Sequence, residues 1–267
     1  MVKGLGLFGA GGVNGNNGNS NTSAVGGNFF TNSVWTGNRT APAKREDLIS
    51  SDEYNRFKAN ARAKAQKKVS TALARARQEA NKGVYEVTQN DSIDIRKYRM
   101  YESANHKTPV KSTAPYCASF VSWCYGNDSA GFGYEKYTPA LKNKAVKNGC
   151  YTAKSKLGNG QKGTYKPKSG DLLMWINKNG QGGHVAMIEK CYVDKKTGQL
   201  VIQTIEGNNT RDPKGQAETA TSRATGSGPE GVVRRTYTMK DIQSNPRMNG
   251  VVRMEDWLTK SEMARFR

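Results

Sequence analysis

Residues 112–126 read STAPYCASFVSWCYG and place a cysteine at the start of a short predicted helix. Pro115 is tolerated only in the first turn of a helix, and Gly126 is a typical residue just after the last turn. Apolar residues recur between them at close to helical spacing, which predicts that the helix is buried. Cys117 is therefore expected at the amino end of a buried helix.

The position of Cys117 favours an ionised thiol. At the amino end of a helix, the helix dipole and the backbone amides stabilise a thiolate, which is the nucleophilic form of cysteine. The same amides could hold the oxyanion that develops during acyl transfer. The alternative is that Cys117 is only a small core residue, because free cysteines are often buried. A nearby base would favour the nucleophile.

The composition indicates a strongly cationic protein. The chain has 267 residues and a formal net charge of +20, which suits one domain with extensions, or two small domains, and an anionic partner. The sequence contains no zinc-finger spacing, ribonucleoprotein motif or basic leucine-zipper heptads, so nucleic acid is not predicted as the partner. Lysine and arginine are spread along the whole chain, as in a generally cationic surface. Anionic polymers of a bacterial envelope fit this charge.

The cysteines and the apolar segments predict neither a metal centre nor a membrane span. The four cysteines lack metal-ligand spacing, so we expect no metal site and no cofactor. The sequence leaves open whether two of the cysteines form a disulfide, although a nucleophilic Cys117 must remain reduced. No stretch approaches the roughly 18 apolar residues that span a bilayer, and the first residues lack a clear secretory signal. We expect synthesis in the cytoplasm without a conventional signal peptide and no membrane span.

The chain divides into segments by composition. Residues 1–43 are rich in glycine, asparagine and serine, which predicts a flexible arm. Residues 44–82 form a long basic amphipathic helix region, with a capping box at Ser50 and an end near Gly83. The basic face of this helix is either an ordinary solvated surface or a grip for an anionic polymer. We expect a catalytic domain over 83–255 and a C-terminal tail over 256–267.

The second half of the chain has the pattern of an antiparallel sheet. Another helix is predicted near 139–147, ahead of a strand at 172–176. Residues 182–193 and 200–209 are predicted to form a β-hairpin, and two closing strands follow at 231–237 and 250–253. The pattern predicts an α+β fold in which a small antiparallel sheet packs against helices.

The chain has two histidines that could serve Cys117 as a base. His106 lies in a polar segment and is predicted to be a surface residue. His184 begins a buried strand behind small glycine residues, which would leave its ring open to a cleft. A cysteine nucleophile needs a base within hydrogen-bond reach, so we predict that His184 is this base.

The hairpin provides a group that could orient His184. Pairing about a turn centred near Lys196 places His184 opposite Asn208, with Glu206 one pair further along the same face. This register requires a bulged turn, or a turn of roughly three to five residues, at 194–198. A shift of one residue would turn both side chains away from His184.

Several motifs, in this order along the chain, resemble the CHAP family of papain-like cysteine peptidases and amidases that cut bacterial peptidoglycan. They read PYCASFVSW at 115–123, SGDLLMW at 169–175, GHVA at 183–186 and IEGN at 205–208. The resemblance covers about residues 70–255 and implies a papain-like fold, with the nucleophile at a helix amino terminus. Some relatives carry an acidic calcium loop ahead of the cysteine, and this chain lacks that pattern.

The resemblance also implies the roles of the site residues. Cys117 would be the nucleophile, His184 the general base and then the general acid, Glu206 the group that orients the imidazole, and Asn208 a polar helper. The implied activity is hydrolysis of an amide in peptidoglycan, by an N-acetylmuramoyl-L-alanine amidase or a stem or cross-bridge endopeptidase. The enzyme would act in the periplasm or cell wall.

The biological setting stays open in the sequence. The chain fits a phage lysin or an interbacterial effector, with a phage structural protein, a secretion-machine component or an immunity protein as a possible partner. The alternative to an enzyme is a non-catalytic module, which would bind the cell wall or form a structural part of a phage particle or secretion machine. A transferase that passes the acyl group to an amine is a third reading.

Overall fold

The computed structural model describes residues 49–103, 111–126, 133–210 and 230–265. These residues all fall in one compact unit, 43–267. The predicted arm at 1–43 and His106 lie outside the described residues. The helices are α1 Ser51–Lys82, α2 Ile93–Arg96, α3 Cys117–Cys124, α4 Thr138–Lys147, α5 Met239–Ser244 and α6 Met254–Ala264, with 3₁₀ segments at Lys97–Ser103 and Lys154–Lys156. The strands are β1 Tyr151–Ala153, β2 Leu172–Ile176, β3 Gly183–Val193, β4 Leu200–Thr210, β5 Glu230–Thr238 and β6 Met248–Val252.

The strands form one antiparallel sheet in the order β1-β6-β2-β3-β4-β5. Alternate side chains of β2 face opposite sides, as the pleat of a strand requires. Leu172 and Met174 join the larger core, which includes α1 and α3, whereas Leu173 and Trp175 join a smaller core that includes α5. The predicted α+β fold, an antiparallel sheet packed against helices, is confirmed.

Helix α1 is one unbroken helix with the predicted ends. The Ser50 hydroxyl accepts a hydrogen bond from Glu53 N, and the Glu53 carboxylate accepts one from Ser50 N. Gly83 follows the last turn with φ 70, a left-handed conformation that glycine adopts without steric cost. The small apolar stripe of α1 is buried in the core, at Ala61, Ala65, Ala72, Leu73 and Ala76. The helix therefore belongs to the folded unit.

The chain from 256 onward is not a tail, because it continues α6. This helix starts at Met254, and the side chains of Met254, Trp257 and Leu258 are buried. Their spacing of three and four residues makes one apolar stripe, and α6 packs against α1. This stripe spans little more than one helical turn, from Met254 to Leu258, which is too short a periodic signal to predict a helix from the sequence. The predicted boundary at 255 falls inside it.

The β3–β4 hairpin has the predicted register, but the irregularity lies elsewhere. Residues 194–199 connect the strands, so the loop is longer than predicted, and Asp194 N donates to Gln199 O at 2.8 Å. The register shifts inside β3, between Ile188 and Lys190. The bulge at Glu189 is held by Arg77 and Arg234, whose guanidinium groups contact its carboxylate at 2.9 and 2.8 Å. This bulge performs the register change that the sequence assigned to the turn.

Candidate active site

Cys117 is the first residue of α3, as the sequence predicted, and it lines a cleft. Its side chain is buried, and Tyr116 precedes it as the N-cap residue. Pro115 therefore stands before the N-cap and not in the first turn. Phe120, Val121 and Cys124 are fully buried along α3, so packing into the core fixes the position of Cys117.

Asn208 holds the amino end of α3. Its Oδ1 accepts a hydrogen bond of 2.7 Å from Tyr116 N, and its Nδ2 donates to Asn90 Oδ1 at 2.9 Å. The adjacent Gly207 allows β4 to approach α3, because a Cβ there would lie 2.8 Å from the Phe120 side chain. Asn208 itself has φ 57, a left-handed conformation that asparagine tolerates better than most residues. It therefore positions the helix that carries Cys117.

His184 and Glu206 form a buried contact between β3 and β4. The distance from His184 Nε2 to Glu206 Oε2 is 2.8 Å, and both side chains are almost completely buried. The His184 ring also packs against Trp175, with ring centroids 5.4 Å apart. Gly183 was predicted to leave the His184 ring open to a cleft. In the structure it leaves room for the backbone of β2, because a Cβ at Gly183 would lie 2.1 Å from Trp175 O.

Glu206 is held by hydrogen bonds on both carboxylate oxygens. Thr204 Oγ1 and Tyr237 OH donate to Oε1 at 2.5 and 2.9 Å, and Asn209 Nδ2 donates to Oε2 at 2.7 Å. Burial alone would raise the pKa of this carboxyl, but the hydrogen bonds and the charge of His184 hold its pKa well below the usual range. The carboxylate is therefore ionised and fixed in orientation.

Cys117 and His184 form the reactive pair. Because Nε2 of His184 faces Glu206, Nδ1 is the ring nitrogen left to hydrogen-bond the Cys117 thiol. Burial opposes ionisation of Cys117, but the His184 hydrogen bond and charge, with Thr138 and the Val185 amide, hold its pKa below the usual value. Burial likewise opposes protonation of His184, but contacts with Cys117 and Glu206 raise its pKa to about 9. The arrangement favours a thiolate–imidazolium pair.

The cleft beside this pair has a volume of about 430 Å³. Cys117, Gly183 and His184 line it together with several polar side chains. These polar residues are Glu86, Gln89, Asn90, Asn208, Thr210, Glu230 and Arg247. A polar cleft of this size accepts a substrate with several hydrogen-bonding groups, such as a peptide.

The structure brings three of the predicted site residues into one chain of contacts. Cys117, His184 and Glu206 follow one another from α3 to β3 to β4. Asn208 lines the same cleft, but its side chain bonds the α3 end and not the imidazole. The residue that touches Glu206 is Asn209, which sequence reasoning missed.

Asn209 and Thr138 could not have been found by alternation along a strand. The β4–β5 register shifts between Glu206 and Asn209, so alternation fails there. Thr138 begins α4, and its Oγ1 lies 3.8 Å from Cys117 Sγ through a tertiary contact. The adjacent amides in the stretch EGNN were the available signal for Asn209.

Within the described residues, neither a disulfide nor a candidate metal site accompanies the reactive pair. All four cysteines are unpaired thiols. Within the described ranges, no group of three or more histidine, cysteine, aspartate or glutamate side chains is arranged to hold a metal ion. None of the helices there is long and apolar enough to cross a membrane.

Comparison with known proteins gave one family match. The sequence model of the CHAP domain matches residues 109–208, a stretch that includes Cys117, His184, Glu206 and Asn208. The match is shorter than the resemblance over 70–255, and β5 and β6 lie beyond it. No curated protein matched the chain.

Proposed function

We propose that the protein is a cysteine- and histidine-dependent amidohydrolase or peptidase that hydrolyses an amide bond of bacterial peptidoglycan through Cys117, as the match of residues 109–208 to the CHAP domain supports. The observation that carries this proposal is the chain of contacts from Cys117 through His184 to Glu206 beside an open cleft. A nucleophile, a base and a group that orients the base are the parts that acyl transfer requires.

The first half of the reaction forms an acyl-enzyme. The Cys117 thiolate attacks the amide carbonyl carbon, and the carbonyl π electrons move to oxygen. The His184 imidazolium then donates its Nδ1 proton to the amide nitrogen of the substrate. Nδ1 is the donor because it is the ring nitrogen that faces Cys117. The carbon–nitrogen bond breaks, the amine leaves, and the acyl group stays on sulfur as a thioester.

The second half releases the product by hydrolysis. Neutral His184 accepts a proton from water, and the oxygen of that water attacks the thioester carbonyl. The carbon–sulfur bond breaks, which frees the carboxylic acid and restores the thiolate and the imidazolium. Glu206 stabilises the imidazolium and holds its ring, while its own carboxylate stays ionised.

The oxyanion is best placed at the amino end of α3. Tyr116, the N-cap residue, makes no side-chain capping hydrogen bond, and the first amides of a helix have no partner within the helix. The Cys117 amide is adjacent to the attacking sulfur and can donate to the developing oxyanion. Electrostatic stabilisation at such a position contributes roughly 3 kcal/mol in other acyl-transfer enzymes.

We propose that the bond is either the sugar–peptide amide or a peptide bond in the stem or cross-bridge. The setting is a phage lysin or an interbacterial effector, made in the cytoplasm and acting in the periplasm or cell wall. A phage structural protein, a secretion-machine component or an immunity protein is the partner that each setting implies. The polar cleft supports an amide-rich substrate without selecting among these bonds.

Digestion of purified sacculi tests the proposal and identifies the bond. Gram-negative and Gram-positive sacculi are incubated with the reduced protein, and the soluble fragments are analysed by mass spectrometry. New amino termini on peptides would identify an endopeptidase. Sugar chains freed of peptide would identify the amidase. We expect one of these two products.

Two cysteine variants provide the matched control. Cys117→Ala should release no fragment, whereas Cys191→Ala should keep full activity because Cys191 lies outside the cleft. If the protein binds sacculi but releases nothing, the non-catalytic binding module becomes the better reading. Transfer of the acyl group to an added amine in place of water would indicate the transferase.

A further inference from the structure

A second groove lies where α1, the carboxyl end of α3 and α6 meet. Its volume is about 520 Å³, and its floor contains Cys124, Tyr125 and Gly126. One carboxylate, that of Glu262, lines it. Against this carboxylate stand the cationic side chains of Lys64, Lys67, Lys68, Arg75 and Arg265. The excess of positive charge makes the groove a candidate anion site.

The sequence of α1 builds one wall of this groove. Lys64, Lys67 or Lys68, Thr71 and Arg75 recur every three or four residues, so they lie along one face of the helix. The buried alanine stripe of α1 faces the core and leaves this basic stripe outside. A row of cations along a helix suits a linear anion better than a compact one.

Internal contacts neutralise only part of this charge. Lys68 Nζ lies 2.8 Å from the Glu262 carboxylate, whereas Lys64 and Arg265 lie 4.0 and 3.6 Å from it. Arg75 donates to Cys124 O at 3.1 Å, which caps α3 without removing the positive charge. Lys67 has no carboxylate partner within the described residues. One nearly buried carboxylate therefore serves several cations, and most of the positive charge of the groove stays available to an anion.

We propose that this groove binds a linear phosphate-bearing polymer of the cell envelope, which holds the enzyme on its substrate. The inference rests on the proposed function, because a hydrolase of the wall works at a surface that carries such polymers. Phosphate oxygens accept the hydrogen bonds that lysine and arginine donate, and binding of several phosphates along a stripe releases counterions.

The composition of the groove disfavours the other polyanions. Single-stranded nucleic acid is bound by exposed aromatic rings on which bases stack, but the groove's only aromatic residue in the described ranges, Tyr125, is buried and donates to Gly170 O. An anionic membrane is bound by basic helices that also insert large apolar side chains, and this basic stripe contains none. A polymer without bases or acyl chains fits best.

The groove and the catalytic cleft can be occupied together. Cys117 begins α3 and Cys124 ends it, so the two sites lie about 10 Å apart along the helix at a rise of about 1.5 Å per residue. A polymer in the groove contacts α1 and α6 and leaves the cleft beside His184 open. The groove therefore serves attachment and not catalysis.

Binding of end-labelled inorganic polyphosphate to the full chain tests the proposal by fluorescence anisotropy over a series of salt concentrations. The groove variant is Lys64→Gln, Lys67→Gln and Arg265→Gln, all at exposed positions. The control variant is Lys195→Gln, Lys196→Gln and Lys240→Gln, which removes the same charge from exposed positions elsewhere. Circular dichroism checks that both variants are folded.

The groove variant should bind polyphosphate roughly tenfold more weakly at low salt, with a salt slope smaller by roughly 2, because it loses phosphate contacts. The control variant should change affinity by less than about twofold. Equal losses in both variants would mean that the net charge of the whole surface binds the polymer, and the groove would be rejected.

Duplex DNA and vesicles of anionic phospholipid are the competing ligands. At equal phosphate concentration, each should bind the groove more weakly than polyphosphate does. Tighter binding of either ligand, lost in the groove variant only, would overturn the proposed polymer. This assay is independent of catalysis, so protein that digests no sacculi but binds polyphosphate through the groove contradicts the proposed function alone.

Discussion

His184 Nε2 and Glu206 Oε2 lie 2.8 Å apart across β3 and β4, in a position that only a bulge in β3 makes possible. The bulge at Glu189 changes the pairing by one residue, and without it Glu206 would point to the other face of the sheet. The electrostatics of the candidate site therefore depend on a backbone irregularity outside the cleft.

The pH dependence of activity should be bell-shaped. The reaction needs Cys117 ionised and His184 protonated, so activity rises with pH through the lowered pKa of Cys117. It then falls as His184 loses its proton, with the alkaline limb at about 9. Measurement of kcat/KM against pH on a soluble muropeptide gives both limbs. Activity that keeps rising above this limb would contradict the thiolate–imidazolium pair.

Glu206→Gln should lower kcat/KM and move the alkaline limb to lower pH. Glutamine preserves the size of the side chain but removes the negative charge that keeps His184 protonated. A loss of roughly a hundredfold or more is expected, because general acid–base catalysis contributes about 10²- to 10⁴-fold. Glu255→Gln is the control carboxylate, because Glu255 pairs with Arg62 and lies outside the cleft. If both variants keep the wild-type pH profile, Glu206 does not act on the imidazole.

Asn209→Ala and Asn208→Gly should affect different properties. Asn209 holds Glu206, so its loss should reduce kcat roughly tenfold with little change in KM. Asn208 holds Tyr116 N at the start of α3, so its loss should lower the free energy of unfolding by about 1 kcal/mol or more. Steady-state kinetics and urea denaturation separate the two effects. The reverse assignment would restore Asn208 to the role the sequence predicted.

Cys117 should react with iodoacetamide faster than the other cysteines at neutral pH. Its pKa is lowered by His184, whereas burial raises the pKa of Cys124, Cys150 and Cys191. A difference of at least about tenfold follows from the larger thiolate fraction. Mass spectrometry of peptides gives the rate for each site. His184→Ala should abolish the preference, and a preference that survives this change would have another cause.

Gly207→Ala should destabilise the protein by roughly 1–3 kcal/mol through overpacking. The added Cβ would lie 2.8 Å from the Phe120 side chain, between β4 and α3. Urea denaturation gives the change in the free energy of unfolding. In the double variant with Phe120→Ala, the two losses should not add, because the contacts with Phe120 Cγ and Cδ1 are removed and only the one with Cβ stays. Simple additivity would show that β4 and α3 do not meet at this point.

Local patterns were enough to predict much of the fold. Ser50 and Glu53 define the start of α1, and Gly83 defines its end, because capping depends on residues close in sequence. The position of Cys117 at the start of α3 likewise follows from nearby residues. The strand β2 was predicted with its observed bounds, since a short apolar run between turn residues is a local signal.

By itself, the sequence determined the local elements, the motifs that resemble the CHAP family and the choice of Cys117, His184 and Glu206 as candidates, since each depends on residue types and spacing along the chain. Only the tertiary structure decided that Glu189 forms the bulge, that Asn208 holds α3 while Asn209 holds Glu206, and that α6 packs against α1. These features arise from side chains distant in sequence that compete for the same space and the same hydrogen bonds. No local pattern records the outcome of that competition.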